Sequence, residues 1–352
     1  MSLSLYVDGD RWRAHMKSVL GSHPGLVPVA KGNGYGFGIA RLARKAAWLG
    51  VDTIAVGTYG EVSEVSRRFG GSILVLTPWR SFEPTAVFGD HLIHTVGRLS
   101  DLEALCARGD RPRVVLERMT SMLRHGFSAR DLREAGDLLS ARRTGGGEGV
   151  AVEGVALHLP MTQGSHLSEV SRLMDDIMAA GLQTNRVYVS HLTDSELESL
   201  RSSYPAFEFR PRIGTQLWLG DRTALAVKAS VLDTHAVERG AVFGYRGRTA
   251  PRSGTILVVS GGTSNGIGLE APTGNTGLKA RAATMARGGL DAAGFVRSPY
   301  VVDGKHRLFA EPPHMQASML FLPHGAHVPD VGEEVEVRVR FTATTFDQTV
   351  IS

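Results

Sequence analysis

The sequence contains a single cysteine, Cys106, among its 352 residues. One thiol excludes an internal disulfide bond and any metal site built from several cysteines, and it fits a reducing compartment. No stretch approaches the roughly 20 apolar residues that a membrane span requires, and residues 1–10 lack the basic and apolar segments of a signal peptide. We therefore predict a cytoplasmic protein with no membrane contact and no metal.

A marked excess of charge of one sign is also missing. Lysine and arginine number 39 against 35 acidic residues, and the basic residues are scattered instead of gathered in a tract. No nucleic-acid partner is therefore predicted. A hydrophobic content of 42% and a charged content of 21% indicate a globular protein with a sizeable core. The length favours one large domain and one smaller domain.

From Leu26 to about Gly220, short apolar runs alternate with longer amphipathic stretches, a rhythm typical of repeated strand-helix units around a parallel sheet. The number of units favours a TIM-type (β/α)8 barrel, whose chemistry lies at the carboxyl ends of its strands. The predicted strands are Leu26–Val29, Thr53–Val56, Ile73–Leu76, Arg113–Leu116, Val152–Leu157, Arg186–Val189 and Phe207–Arg210. The predicted helices include Ile39–Gly50, Tyr59–Phe69, Ser128–Arg142 and His166–Gly181.

After about Thr223 the pattern changes to strands separated by turns rich in glycine and proline. The predicted strands are Ala226–Val237, Gly254–Val259, Ser298–Val302, Met319–Leu322 and Glu334–Phe341, with a hairpin turn at Asp303–Lys305. We therefore predict a barrel domain over residues 1–222 and a C-terminal all-β domain over residues 223–352. Residues 269–297 show no clear pattern and are interpreted as an insertion.

Lys31 ends an apolar strand and is followed by alternate glycines from Gly32 to Gly38. A lysine at the mouth of a barrel can be desolvated and made nucleophilic, and glycines allow the backbone to approach a ligand closely. The segment Leu26–Gly38 closely resembles the alanine racemase family pattern, in which the lysine binds pyridoxal 5'-phosphate as a Schiff base. The resemblance implies that Lys31 carries this cofactor and is one of two catalytic bases, and that the Tyr35 hydroxyl contacts the phosphate.

Further matches to this family follow in the same order along the chain. The segment Met119–Phe127 resembles a motif whose arginine, here Arg124, hydrogen-bonds the phenolic oxygen of the cofactor and faces the substrate carboxylate. His158 resembles the strand-end histidine that packs on the pyridine ring. The family's hydroxyl contact to the phosphate has no clean counterpart, and Thr193 is the best candidate, with Ser190 next.

The segment Arg212–Gly220 resembles the motif in which an arginine donates to the pyridine nitrogen and backbone amides bind the phosphate. The resemblance assigns these roles to Arg212 and to the amides of Gly214 and Thr215. A positive partner keeps the ring nitrogen unprotonated, which weakens the ring as an electron sink and favours reprotonation over side reactions. Farther along, the resemblance places Met315 beside the substrate.

The resemblance breaks at Ser260–Gly266, where the family has a tyrosine that reaches the site from the partner subunit and acts as the second base. Thr263 occupies the nearest position and takes that place in the predicted catalytic set. Its hydroxyl is too weakly acidic to replace a phenol, and loss of such a group typically costs roughly 10²–10⁴-fold in rate. Glu117 stands where many members carry a carboxylated lysine, and its carboxylate is expected to pair with Arg124.

Three functions fit these residues. The first is racemisation of alanine or a similarly small amino acid, with Lys31 as one base and Tyr245, His191 or a water held by Thr263 as the other. The second is a reaction that needs only one base, such as decarboxylation, aldol cleavage or one-face epimerisation. The third is a non-catalytic scaffold that retains the fold. The resemblance further implies a homodimer with shared active sites.

Overall fold

The computed structural model describes residues 2–83, 86–146, 149–161, 164–269 and 296–352. The chain forms two compact units. The first, called the β unit, comprises Met1–Trp12, Tyr35–Phe37 and Asp221–Ser352, and the second, called the barrel unit, comprises Arg13–Gly34 and Gly38–Gly220. These units are discontinuous in sequence, and the single division between residues 222 and 223 stays a prediction. The predicted insertion at 269–297 lies almost wholly outside the described residues.

Strands outnumber helices in the part of the chain that the structure describes. The strands are β1 (Leu3–Val7), β2 (Val27–Pro28), β3 (Thr53–Val56), β4 (Ser72–Val75), β5 (Leu92–Val96), β6 (Arg113–Arg118), β7 (Ala151–His158), β8 (Arg186–Ser190), β9 (Glu208–Ile213), β10 (Leu225–Val237), β11 (Val242–Phe243), β12 (Arg248–Thr249), β13 (Gly254–Ser260), β14 (Arg297–Val302), β15 (Lys305–Phe309), β16 (Ala317–Pro323), β17 (Glu334–Val337) and β18 (Gln348–Ile351). The helices are α1 (Gly9–Ser22), α2 (Ile39–Leu49), α3 (Val62–Ser66), α4 (Leu99–Cys106), α5 (Ala129–Thr144), α6 (Leu167–Ala179), α7 (Asp194–Ser203) and α8 (Thr215–Leu219). Within the described ranges, no helix combines the length and apolar character needed to cross a membrane.

The barrel unit contains a parallel eight-stranded sheet in the order β2-β9-β8-β7-β6-β5-β4-β3. A parallel bridge between Val29 and Ala55, with Ala30 N donating to the Ala55 carbonyl at 2.8 Å, joins the two edge strands. Inward-pointing apolar side chains fill the interior, as expected where helices cover a closed parallel sheet. These residues are Val27, Val29, Ala55, Leu74, Ile93, Val115, Ala156 and Tyr188. The predicted TIM-type barrel is confirmed.

The β unit is built on a second eight-stranded sheet, in the order β13-β16-β15-β14-β17-β10-β1-β18. Strand β10 also pairs with β13, so the strands from β13 to β10 form a closed ring. The hairpin turn predicted at Asp303–Lys305 is confirmed, because Val302 pairs with Lys305 across β14 and β15. Strand β1, which the sequence pattern does not predict, pairs with β10 and β18 and so belongs to this unit. The predicted all-β region is confirmed.

Candidate active site at the barrel mouth

The alternation of side chains along the strands collects polar groups at the carboxyl end of the barrel. Lys31, Glu117, His158 and Ser190 each follow an inward-pointing core residue by two positions. Residues two apart in a strand share a face, so these side chains continue the inner lining upward from the apolar core. Arg212 lies near the carboxyl end of β9. The sequence therefore changes from apolar to charged where the barrel opens.

Two buried or partly buried side chains fix the backbone around Lys31. The Glu61 carboxylate accepts hydrogen bonds from the amide of Gly32 at 2.7 Å and from the amide of Gly57 at 2.6 Å. The indole nitrogen of Trp218, which is fully buried, donates to the carbonyl two residues before Lys31 at 2.8 Å. Charge-assisted bonds to a carboxylate are stronger than neutral ones, so this loop has a defined position.

Partial desolvation lowers the pKa of the Lys31 amine below its ordinary value, and the nearby positive charges of Arg124 and Arg212 lower it further. Glu61 opposes the shift. A lowered pKa increases the fraction of unprotonated amine at neutral pH, and only that form attacks a carbonyl carbon. The barrel mouth therefore favours a nucleophilic lysine.

Arg212 carries an unsatisfied hydrogen-bond donor. The residue is only 7% exposed, and its Nη2 donates to the carbonyl of Leu157 at 3.1 Å. Its Nε is buried and has no hydrogen-bond partner among the described residues. Burial lowers the pKa of the guanidinium to about 10, and Glu117 opposes this, so the group is positively charged at neutral pH. Because buried donors are normally satisfied, this one indicates a place for an acceptor atom of a ligand.

The rings of His158 and His191 lie edge to face, with their centres 5.3 Å apart. Burial lowers the pKa of His158 to about 3, and Arg212 and Arg124 add to the effect. Desolvation and Arg212 also lower the pKa of His191. Both rings are thus uncharged at neutral pH, and His158 can pack against a heterocycle without adding a further charge.

The loop that carries Arg124 is attached to the outer helix α6 at two points. Arg118 forms an ion pair with Asp176 at 2.8 Å while its Nη1 donates to a loop carbonyl at 2.6 Å. Ser121 donates from its amide and its hydroxyl to the Glu169 carboxylate, at 2.7 and 2.9 Å. These contacts fix the start of the loop that carries Arg124, whose charge acts on Lys31, Glu117 and His158.

Gly126 closes the same loop at a position that no other residue fits. Its φ is 126°, and a Cβ placed there would lie 2.4 Å from the amide nitrogen of Met119 and 2.8 Å from the carbonyl oxygen of Glu117. The next amide, that of Phe127, donates to the Glu117 carbonyl at 2.8 Å. The backbone of the loop therefore packs closely against β6. This packing is possible because residue 126 is a glycine and has no side chain.

Glu117, on β6, is only 3% exposed. Burial raises the pKa of its carboxyl group, while the positive charges of Arg212 and Arg124 oppose the rise. The sequence predicted Arg124 as the partner. That pairing stays a prediction, and of the two positive charges that act on Glu117, the charge of Arg212 has the larger effect.

The residues predicted to contact a phosphate group differ in whether their polar groups already have hydrogen-bond partners within the protein. Gly214 and Thr215 form the start of α8, where the first amides have no carbonyl partner within the helix. Ser190 is buried at the end of β8. The Thr193 hydroxyl caps α7 and donates to the Glu196 carboxylate at 2.9 Å, so it is already occupied. The phosphate role of each residue stays a prediction.

The remaining predicted residues belong to the β unit. Thr263 is exposed, and its amide donates to the carbonyl of His314 at 2.8 Å. Met315 is 73% exposed and Tyr245 is 89% exposed. Tyr35 is buried and has a left-handed backbone with a φ of 54°. The structure therefore places Thr263 beside the segment that contains Met315, while the roles of these residues stay predictions.

The acidic residues that hold the mouth in place were not predicted to do so. Asp176 and Glu169 are on α6, and nothing in their local sequence distinguishes them from solvent-exposed helix residues. Glu61 carries a usable signal, because Thr58 and Glu61 have the spacing of a capping box, which the structure contains. That signal predicts the helix start but not the contact with Gly32.

Comparison with known proteins identifies the family. The family model for the alanine racemase N-terminal domain matches residues 7–203, which is more than half of the chain. The chain belongs to the alanine racemase N-terminal domain family. The alanine racemase of Nitratidesulfovibrio vulgaris (strain DSM 19637 / Miyazaki F) is 26% identical over 274 residues, covering 71% of this chain and 72% of that protein. The alanine racemase of Mycolicibacterium vanbaalenii is 27% identical over 282 residues, covering 72% and 70%.

Solved alanine racemase structures share the fold of this family member. The enzyme from Streptomyces lavendulae, a producer of D-cycloserine, matches with a TM-score of 0.72 and 18% identity, covering 100% of this chain and 97% of the other. The enzyme from Bartonella henselae, solved with covalently bound pyridoxal phosphate, matches with a TM-score of 0.71 and 17% identity, covering 96% and 91%. At these identities the likeness concerns the fold.

Proposed function

We propose that this chain is a pyridoxal-5'-phosphate-dependent racemase of alanine or a similarly small amino acid. The observation that carries the proposal is the unsatisfied Nε of Arg212, which shares the barrel mouth with Lys31, an amine of lowered pKa. Lys31, Arg124 and Arg212 outnumber the acidic groups Glu61 and Glu117 there. An excess of positive charge favours a ligand with an anionic group, and a nucleophilic amine favours an aldehyde.

The residues of the mouth fit this cofactor. When bound, pyridoxal 5'-phosphate withdraws electrons from the α carbon of an amino acid and makes its proton acidic. Arg212 Nε would donate to the ring nitrogen, and the neutral ring of His158 would pack on the heterocycle. Arg124 would donate to the phenolic oxygen. The free amides at the start of α8, from Gly214 and Thr215, would bind the phosphate.

The same residues would bind and orient a small amino acid. Arg124 would pair with its carboxylate, and Lys31 would hold or deliver a proton on one face of its α carbon. Tyr35, Ser190 and Thr193 remain candidates for the phosphate, and Met315 would lie beside the substrate. We further propose that the protein is a cytoplasmic homodimer in which each site takes residues from both chains.

A second function, a reaction that needs only one base, is favoured by one observation. The resemblance aligns Thr263 with the family's catalytic tyrosine. Thr263 lies on an exposed turn, and its hydroxyl cannot replace a phenol as a base. Decarboxylation, aldol cleavage and one-face epimerisation all fit this arrangement.

The experiment that separates these functions is incubation of the purified protein with L-alanine and with D-alanine in deuterium oxide. A racemase exchanges the α proton for deuterium and inverts the configuration of both enantiomers. Exchange of the α proton with retained configuration indicates chemistry on one face. Visible cofactor absorption without exchange in any of a panel of amino acids would contradict both functions and favour the scaffold.

Replacing Lys31 with alanine tests the cofactor itself. We expect Lys31→Ala to abolish the visible absorption and the covalent retention of pyridoxal phosphate, because the variant has no amine to form the Schiff base. The measurement is the absorbance spectrum after gel filtration, with reduction by borohydride and peptide mass mapping. The control is Lys305→Ala, which removes an exposed lysine of β15. Unchanged absorption in Lys31→Ala would refute the assignment.

A further inference from the structure

The barrel unit has a cavity at the end opposite to the candidate active site. Its volume is about 160 Å³, and part of its lining comes from the segments that lead into strands β6, β7 and β8. Arg111 lies just before β6, Ala151 begins β7, and Leu182 lies before β8. The amino ends of parallel barrel strands share one face, so this cavity is remote from Lys31. The proposed function makes no use of it.

Three arginines line this cavity, and among the residues that the structure describes no acidic side chain does so. Arg111 belongs to the segment before β6, whereas Arg142 and Arg143 are consecutive in the last turn of α5. Guanidinium groups remain charged at all ordinary pH values, so three of them around one small volume produce a positive potential there. The charge of the lining therefore favours an anionic ligand.

Arg142 has a buried hydrogen-bond donor that nothing in the described part of the chain accepts. This donor is its Nε, which is withdrawn from solvent. A positive side chain in the last turn of a helix is favoured by the helix dipole, but that effect alone leaves the charged head in water. Because buried donors are normally satisfied and Arg142 lines the cavity, its Nε indicates a place for an acceptor atom of a ligand.

The walls of the cavity are held by close backbone packing. Helix α5 lies so near the end of α6 that a Cβ on Gly136 would collide with the carbonyl oxygen of Ala180. Arg111 has a left-handed backbone, with a φ of 47°, which residues other than glycine rarely adopt. Such a conformation persists where the surrounding structure maintains it, and it is frequent at ligand sites. The arginines therefore line a cavity that exists before any ligand binds.

The size and the lining of the cavity together indicate the class of ligand. A cavity of about 150 Å³ can hold a molecule as large as benzene, so about 160 Å³ is enough for a phosphate group with a small substituent. Arginines bind phosphate oxygens in bidentate pairs, and a phosphate has more oxygens to offer several arginines than a carboxylate has. Leu139, Val152 and Leu182 supply an apolar wall that a substituent can contact.

We propose that this cavity is a second ligand site, which binds a phosphate group through Arg111, Arg142 and Arg143. The phosphate is either the free ion or the head of a small phosphate monoester, because both present the same oxygens to the three guanidinium groups. Binding is non-covalent and takes place at the amino end of the barrel. The site is therefore independent of the proposed racemase activity.

The test is calorimetric titration of the purified protein with inorganic phosphate at low ionic strength. We expect Arg142→Gln to bind phosphate in this cavity at least about tenfold more weakly than the wild type, because a charged donor is lost. The matched control is Arg133→Gln, which removes an exposed arginine of the same helix that does not line the cavity. It should bind phosphate as the wild type does. Phosphate that binds at an empty barrel mouth would bind equally to both variants, so the difference between them reports on this cavity alone.

Ethyl phosphate and acetate identify the form of the ligand. Tighter binding of ethyl phosphate than of inorganic phosphate, weakened in Arg142→Gln, would support the site and indicate a monoester as its ligand. Equal or weaker binding of ethyl phosphate would support the site and indicate the free ion. Acetate that binds as tightly as phosphate, an equal phosphate affinity in Arg142→Gln and the wild type, or no binding by the wild type would overturn the inference.

A second variant keeps the test valid if Arg142→Gln folds poorly. Arg111 is exposed, so Arg111→Gln leaves the core unchanged, and we expect it also to weaken phosphate binding. Phosphate should raise the melting temperature, because a ligand that binds only the folded state stabilises it. The rise should be smaller in Arg111→Gln than in Arg133→Gln. Equal rises in these two variants would contradict the assignment of the cavity.

Discussion

The barrel mouth and the predicted site segments of the β unit differ in how their polar residues are held. At the mouth, Arg212 and Glu117 are almost fully buried, and desolvation, aided by the charges of Arg124 and Arg212, lowers the pKa values of Lys31 and His158. In the β unit, Thr263, Met315 and Tyr245 are exposed. The predicted site residues of the barrel mouth are thus fixed by burial and charge, whereas those of the β unit lie largely on exposed segments whose sequence can change more freely.

The largest effect is expected at Gly126, which holds the Arg124 loop at the barrel mouth. We expect Gly126→Ala to lower the free energy of unfolding by about 2–4 kcal/mol, since the new Cβ meets the Met119 amide at 2.4 Å. Cofactor affinity should fall with it, because the Arg124 loop must move. Urea denaturation and absorbance titration measure both quantities.

The matched control for this substitution is Gly109→Ala. Gly109 has a φ of 80°, but nothing lies within 4 Å of its Cβ position, so only backbone strain is added. We expect a loss of about 1 kcal/mol and unchanged cofactor affinity. Equal losses of stability in the two variants would show that the Arg124 loop does not depend on the close packing of Gly126 against β6.

A smaller effect is expected at the contact between the loop and α6. Glu169→Ala removes the two hydrogen bonds to Ser121, and we expect a loss of about 1 kcal/mol with weaker cofactor binding. The control is Glu134→Ala, which removes an exposed ion pair with Arg130 and should destabilise the protein less than Glu169→Ala does. Cofactor affinity that is unchanged in Glu169→Ala would mean that the outer helix does not position Arg124.

The smallest effect is a change in the pH dependence of Lys31. Its pKa lies below the ordinary value of 10.5, so the amine becomes reactive at lower pH than a solvent-exposed lysine. In Arg124→Gln one of the positive charges that lower the pKa is gone, so the pKa rises and the reactive form appears only at higher pH. The measurement is the rate of reductive modification of Lys31 by a neutral aldehyde in the cofactor-free protein, followed by peptide mapping.

The control for that measurement is Arg130→Gln, which removes a positive charge from the exposed surface of α5. Its rate profile should superimpose on that of the wild type. A profile of Arg124→Gln that moves to lower pH, or does not move, would contradict the electrostatic description of the mouth.

The sequence pattern predicts those strands whose apolar residues are continuous. Strand β7, predicted over Val152–Leu157, extends over Ala151–His158. Strand β5 was missed because His94 interrupts its apolar run. In the structure this ring is buried and hydrogen-bonds the Tyr59 hydroxyl at 2.7 Å, and burial lowers the pKa of His94 to about 4. A polar residue with a distant partner behaves as a core residue, and the partner is not visible in the local sequence.

The same limit applies to the site. The residues of the mouth could be placed from the sequence because each follows a strand, as Lys31 and His158 do. The contacts that hold the Arg124 loop could not, because Glu169 is 48 residues from Ser121 and Asp176 is 58 residues from Arg118. Such pairs are set by the tertiary fold and leave no periodic signal.

The pairing of β1 with β10 and β18 has a consequence for synthesis on the ribosome. The barrel strands lie between residues 27 and 213 without interruption, so they can assemble as they emerge. Leu3, by contrast, pairs with Ala229, and Val7 pairs with Ile351. At about 5–20 residues per second, the first strand waits on the order of ten seconds or more for its first partner. Nascent β1 is therefore an unpaired apolar segment that a chaperone can bind while the barrel is already forming.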